Sequence, residues 1–165
     1  MNQDGYDDVV VTGEFFFFFL NDSKGGFKTV ALAGGPFDPD TYFAKDLNND
    51  GLLDIGIVSH YALHVFMQTA DGFASTIISE DGYLDNFGYL DMDNDGDLDL
   101  VVNNMEDVSS VIENKLKSSN HYLKVKVDKY YEGIKVTARA NDQIFYQELH
   151  MTRGFQSSVD NTLHF

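Results

Sequence analysis

The chain has 165 residues, 43% hydrophobic and 14% aromatic, with 14 glycines and no cysteine. That is enough apolar material for a packed core of ordinary domain size, and it excludes a fold stapled by disulfides. Eleven Lys and Arg stand against 27 Asp and Glu, a formal charge of −16, which excludes nucleic acid and anionic membrane surfaces as partners and favours cations.

The chain opens on NQDGYDDVVV, residues 2 to 11, where Asn2, Asp4 and Asp8 alternate around Gly5 and a β-branched run follows. Oxygen-bearing side chains at alternate positions with a glycine among them are what a calcium loop needs, and the valines predict a strand. Next comes GEFFFFFLNDSKGGF, residues 13 to 27. Its five phenylalanines invite comparison with a signal peptide or membrane segment. The residues before them are acidic, however, no Lys or Arg precedes Lys24, and Phe15 to Leu20 falls far short of the ~20 residues of a spanning helix. The run instead predicts a strand covered on both faces, ended by an Asp/Gly turn. Asn21-Asp22-Ser23 has the form of a glycosylation sequon and reads as chance.

The stretch from 42 to 58, YFAKDLNNDGLLDIGIV, places an aromatic strand before Asp46, Asn48, Asp50, Gly51 and Asp54, and an apolar strand after them. YALHVFMQTADGF, residues 61 to 73, repeats the strand, Asp/Gly turn and Gly-Phe ending seen at 13 to 27. FGYLDMDNDGDLDLVV, residues 87 to 102, then repeats the aromatic strand and the loop, with Asp91, Asp93, Asp95, Gly96, Asp97 and Asp99. The first nine positions of each loop read like an EF-hand. That motif requires a bidentate Glu at the twelfth position, on an exiting helix, where this chain has Ile57 and Val102. Both loops therefore feed strands. The glycines at 5, 51 and 96 lie 46 and 45 residues apart, the period of a propeller blade or a solenoid unit. His60 and His64 are four apart; on a strand that spans about 13 Å, too far for two ligands of one zinc ion.

The pattern D-x-[DN]-x-D-G-x-x-D followed by a strand, at this period, resembles the FG-GAP/VCBS repeat of integrin-type β-propellers. The resemblance implies that calcium is held by side chains at the first, third, fifth and ninth positions and by a main-chain carbonyl at the seventh. Carried over, this means Asp46, Asn48, Asp50 and Asp54 with the carbonyl of Leu52, and Asp91, Asp93, Asp95 and Asp99 with the carbonyl of Asp97. The N-terminal copy retains Asn2, Asp4 and Asp8 with the carbonyl of Tyr6 and lacks the first ligand, which weakens it. A chain that opens inside a loop motif reads as a segment of a longer protein.

No fourth loop stands near residue 141, where the sequence is RANDQIF. From Asn120 the chain resembles the ASPIC/UnbV domain, which opens with Asn-His-Trp-Leu and closes with Leu-His-Phe-Gly-Leu-Gly. Here Tyr122 replaces the Trp, GFQSS stands where the domain has Gly-Tyr-x-Ser, and the chain stops at Phe165. YLKVKV and KVTARA alternate at period two and predict strands. Arg153-Gly154-Phe155 reads as a turn, not as an integrin ligand. The expected architecture is all-β: a partial propeller of FG-GAP/VCBS blades over 1–118, then a small β-rich ASPIC/UnbV-like domain over 119–165.

Three functions compete. A calcium-stabilised, non-enzymatic propeller segment on an exported, cell-surface or periplasmic protein, binding an extracellular protein or glycan, fits the loops best, with the remaining blades of the longer protein as further partners. A propeller enzyme, a hydrolase or a secondary-metabolism protein acting at the central channel, requires a cluster of perturbed titratable groups away from the loops. No nucleophile motif accompanies His121, His150 or His164. An intracellular calcium sensor is disfavoured by the strand context and the missing twelfth-position Glu.

Overall fold

The computed structural model describes residues 4–11, 16–31, 41–59, 62–79, 84–104, 107–116, 119–129, 131, 133–141, 143–150 and 161–165. Every regular element among them is a strand, as the surplus of β-branched and aromatic residues dictates. The strands fall into two compact units, residues 6–120 and residues 121–165, with Asp4 and Gly5 grouped in the second.

In the first unit three antiparallel meanders follow one another. β1 (Val9–Val11), β2 (Phe17–Asn21) and β3 (Phe27–Ala31) form the first. β4 (Thr41–Lys45), β5 (Asp54–Ser59), β6 (Ala62–Thr69) and β7 (Gly72–Ser79) form the second, and β8 (Leu84–Leu90), β9 (Asp99–Asn104) and β10 (Ser110–Ile112) the third. β1, β5 and β9 are the equivalent strands, each leaving an acidic loop.

The second meander is covered on both sides. Successive side chains of a strand point to opposite faces, and β5 carries apolar residues on both. Ile55 and Ile57 join Phe16, Phe18 and Phe66 in one core, against which Val10 and Val30 of the first meander pack. Val58 joins Phe43, Leu63 and Val65 in another, closed by Leu84, Leu98, Leu100 and Val102. A sheet that is apolar on both faces is stable only between two others, so face-to-face stacking of the meanders follows from the pattern of β5. Each such side chain contributes about 1.5–3 kcal/mol on burial.

The phenylalanine run obeys the same alternation. Phe16 and Phe18 are buried towards the second meander, where Phe18 stacks on Phe73 at 5.2 Å. Phe17 and Phe19, on the opposite face, are half-buried with ring centroids 6.4 Å apart. Cover is therefore complete on one face and partial on the other; Phe15 lies outside the described residues. Asn21 and Asp22 form the predicted turn: Asn21 Oδ1 accepts the Ser23 amide, and Asp22 Oδ1 accepts the amides of Lys24 and Gly26.

Large and small residues alternate across the loop-flanking strand pairs. Phe43 lies opposite Gly56, and a Cβ on Gly56 would stand 1.9 Å from its ring. In the third meander the sizes are exchanged, with Gly88 opposite Val101. His64 lies on β6 as expected for a strand, and His60 lies outside the described residues.

In the second unit β11 (Lys124–Lys126) pairs with β14 (Thr162–His164), and β12 (Ile134–Ala140) with β13 (Gln143–Leu149). The RANDQIF segment is the β12–β13 hairpin, with Asn141 at φ 53°, a conformation Asn tolerates. The Leu123 amide donates to the Phe165 carbonyl at 2.6 Å and the Phe165 amide to that of Leu123 at 2.9 Å. The opening and closing signatures of the ASPIC/UnbV resemblance are thus one ladder, on which Tyr122 stacks against His164 at 5.6 Å. Among the described residues of this unit Leu149, on β13, and Leu163, on β14, are the buried apolar ones. Arg153-Gly154-Phe155 falls outside the described residues.

Candidate metal centre

The acidic loops join β4 to β5 and β8 to β9, and they share one backbone path. At the fourth position Asn49 and Asn94 have φ of 57° and 64°, and at the sixth Gly51 and Gly96 have φ of 86° and 100°. Two left-handed residues in alternate positions curl the chain, and Asn and Gly are the residues that adopt that region at least cost. Gly5 has φ 86° as well.

Side-chain oxygens accept the amides that the curl turns inward. In the first loop Asp46 accepts the amides of Asp50 and Gly51 at 3.2 and 2.7 Å, Asn48 that of Asp50 at 3.0 Å, and Asp50 that of Leu52 at 2.7 Å. In the second, Asp93 accepts the Asp95 amide at 3.2 Å and Asp95 the Asp97 amide at 3.1 Å.

The ninth position has a structural role that sequence reasoning missed. Asp54 and Asp99 have no exposed surface. Asp54 accepts the amides of Leu47 and Gln68 at 2.9 and 2.8 Å, and Asp99 those of Met92 and Asn114, both at 2.8 Å. In the N-terminal copy Asp8 accepts the Asn21 amide at 2.8 Å. Each ninth-position carboxylate ties its loop to a strand end further along the chain. Each oxygen that accepts one amide retains a lone pair for a cation.

Three asparagines join the loops to one another and to the end of the unit. Asn49 Nδ2 donates to the Gly96 carbonyl at 3.0 Å, and Asn114 Nδ2 to the carbonyls of Leu47 and Leu98 at 2.7 and 3.3 Å. Asn120 Nδ2 donates to the Asn48 carbonyl at 3.0 Å. Asn49 has a counterpart in Asn94; Asn114 follows no period and left no signal in the sequence, and Asn120 stood out there only as the first residue of the ASPIC/UnbV-like opening.

The structure does not treat the three sites alike. Carboxylate oxygens of Asp91, Asp93 and Asp99 lie within 4.8 Å of one another, a spread that bonds of 2.3–2.6 Å to one calcium ion can bridge. Among the described residues Asp46, Asp50 and Asp54 form no such group. For the N-terminal copy, Asn2 lies outside the described residues, Asp4 groups with the second unit, and Tyr6 and Asp8 with the first.

Crowding and burial raise the affinity of these carboxylates for protons. Burial pushes the Asp54 carboxyl up to about 6, opposed by the Leu47 and Gln68 amides and aided by repulsion from Asp46 and Asp50. Burial also raises Asp46. Asp97 is pushed up to about 7, first by desolvation and then by hydrogen bonding and repulsion from Asp95 and repulsion from Asp99 and Asp93. These oxygens are hard donors gathered against their own repulsion, which fits calcium.

A pH dependence follows. Because the folded pKa of Asp54 exceeds its ordinary value of 3.8, the folded chain holds the proton that the unfolded chain releases, and metal-free stability falls as pH rises from about 4 through 6. Asp97 extends the fall to about 7. Urea denaturation in chelator is expected to give a higher midpoint at pH 5 than at pH 7.5; an unchanged midpoint would show these carboxylates to be unperturbed.

Residues 46–102 match the FG-GAP-like repeat family, and residues 129–165 match ASPIC and UnbV. The chain carries an FG-GAP-like repeat and an ASPIC/UnbV segment. No curated protein and no solved structure matches it. The FG-GAP-like match opens at Asp46 and closes at Val102, so it contains both complete acidic loops and the β5 and β9 strands that leave them. The ASPIC/UnbV match opens at Lys129, beyond β11, and includes β12, β13 and β14.

Proposed function

We propose that the chain is a calcium-binding, non-enzymatic β-propeller segment of an exported or cell-surface protein, presenting its loops to an extracellular protein or glycan. The observation that carries this reading is the convergence of Asp91, Asp93 and Asp99 oxygens on a loop whose backbone path recurs at 46–54. Among the described residues the carboxylates held above their ordinary range, Asp46, Asp54 and Asp97, all belong to these loops, where burial and mutual repulsion account for the shift without a catalytic role. Asp46, Asn48, Asp50 and Asp54 with the Leu52 carbonyl would hold one ion, and Asp91, Asp93, Asp95 and Asp99 with the Asp97 carbonyl another. Calcium supplies positive charge that offsets carboxylate repulsion. The chain's own contribution is to fix the oxygens in place, so binding energy appears as folding stability. Extracellular calcium, in the millimolar range, suits loops of moderate affinity.

Thermal unfolding with calcium, with magnesium and with chelator tests the proposal. At a hundredfold excess over Kd, calcium adds about 2.7 kcal/mol, a rise in Tm of about 5–10 °C; magnesium is expected to give less, and Asp95→Ala to remove much of the calcium effect. Identical melting in calcium and chelator would overturn the reading.

A further inference from the structure

We propose that the exposed face of the β11–β14 pair, which carries Tyr122, Lys124, Lys126 and His164, is a docking surface for an anionic glycan, a polysaccharide bearing sulfate or carboxylate groups. The surface lies on the second unit and uses none of the acidic loops, so it goes beyond the calcium reading above and does not depend on it.

Charge is divided unevenly along the chain. The first unit carries 21 Asp and Glu against five Lys, so the whole formal charge of −16 belongs to it. The second, Asp4 included, carries six Asp and Glu against six Lys and Arg. Exclusion of polyanions by net charge therefore applies to the first unit and not to the second.

The ladder sets which side chains share a face. Lys124 lies opposite His164, Val125 opposite Leu163 and Lys126 opposite Thr162. Backbone bonds extend the pairing to Leu123 with Phe165 and to Val127 with Asn161. Alternation then puts Lys124, Lys126, Thr162 and His164 on one face, and Val125 with the buried Leu163 on the other. Tyr122 joins the first face: its ring, 44% exposed, stacks on His164 at 5.6 Å, and the Lys124 ammonium stands 5.4 Å from its centroid. Neither strand contains an acidic residue, and Asp128, just past the last rung, is followed by Lys129.

Such a face suits a chain of anions and hydroxyls. Lys124 and Lys126, both exposed, stand two residues apart on one strand, about 6.6 Å, and so meet successive anionic groups of an extended polymer as point charges. The Tyr122 ring holds the Lys124 ammonium in place, which lowers the entropy lost when an anion binds. The tips of lysine, tyrosine, histidine and threonine offer donors to sulfate, carboxylate and hydroxyl oxygens. An apolar anchor is what the face lacks, since Val125 and Leu163 point the other way. An acidic peptide or a membrane is held by such anchors; a polysaccharide needs none.

Calorimetric titration of the 165-residue chain with a heparin octasaccharide tests this at about 0.15 M salt, where charges beyond about 8 Å are largely screened. Binding is expected in chelator as in calcium, and it should weaken as salt is raised. Lys124→Gln combined with Lys126→Gln should weaken it about tenfold or more, and Lys124→Arg with Lys126→Arg should keep it. Lys135→Gln, on the other sheet beside Glu148, should leave it unchanged. Melting temperature, the folding control, should stay the same in all three. Equal binding of uncharged dextran, or tighter binding of poly-Glu or of phosphatidylserine vesicles, would overturn the glycan assignment. No binding would overturn the surface while the calcium reading, tested by melting, stands. Binding lost in chelator and untouched by the lysine pair would also overturn it, and would place the glycan on the calcium loops.

Discussion

Asp54→Ala and Asp99→Ala are each expected to lower stability by about 3–5 kcal/mol, in chelator as much as in calcium. Each carboxylate is fully buried and accepts two backbone amides, one from the second position of its own loop and one from Gln68 or Asn114. Truncation leaves two buried N–H groups without acceptors, at about 1–3 kcal/mol each, and a cavity besides. Asn does not rescue the site. Its single side-chain oxygen satisfies one amide while its NH₂ group faces the other, donor against donor. Asp95→Ala is the contrast, because Asp95 is exposed and the backbone amide it accepts, that of Asp97, belongs to its own loop. Its cost in chelator is expected to stay near 1 kcal/mol or below, with its main effect confined to calcium. Urea denaturation at pH 7.5 in both conditions separates the two kinds of residue. If Asp54→Ala and Asp99→Ala matched wild type in chelator, the ninth position would be a ligand and nothing more.

Gly56→Ala is expected to destabilise the chain by about 2–3 kcal/mol, the range of overpacking in a dense core. The added methyl would meet Phe43 Cε1 at 1.9 Å and Cζ at 2.0 Å, and the ring has nowhere to retreat: Phe87 holds it at 4.6 Å and Tyr89 at 6.2 Å. Tyr89 is itself covered by the Lys45 ammonium at 5.0 Å. Phe43→Leu combined with Gly56→Ala should recover part of the loss, because the smaller side chain vacates the space the methyl needs. Gly88→Ala, at the equivalent strand pair, is the control. A Cβ there meets nothing within 4 Å, so its melting temperature should stay close to wild type. Equal melting temperatures for the Gly56 and Gly88 variants would show that the Phe43 ring moves freely.

The parts of this protein legible in one sequence are those written in local spacing. Alternate oxygen-bearing residues around Gly51 and Gly96 describe a curled loop because left-handed Gly and short Asx side chains impose that path within a few residues. The β-branched run after each loop can hardly be anything but a strand. The substitution of Ile57 and Val102 for Glu removed the EF-hand without reference to any contact. The 45- to 46-residue spacing of the glycines carried the meanders with it, since each repeat rebuilds the same strand–loop–strand unit.

Contacts made across long stretches of chain had no such signature. Nothing around Asn114 announces that its amide group reaches Leu47, 67 residues back, and Asp54 read as an ion ligand because its bond to Gln68, 14 residues on, depends on how β6 folds back over β5. The amino-acid sequence by itself determined the strands, the loops and their repetition, since periodicity and turn chemistry act over a handful of bonds. The tertiary structure alone decided which loop gathers its oxygens and which closes on itself, because burial and hydrogen-bond partners are set by residues that the chain brings together only when the sheets stack.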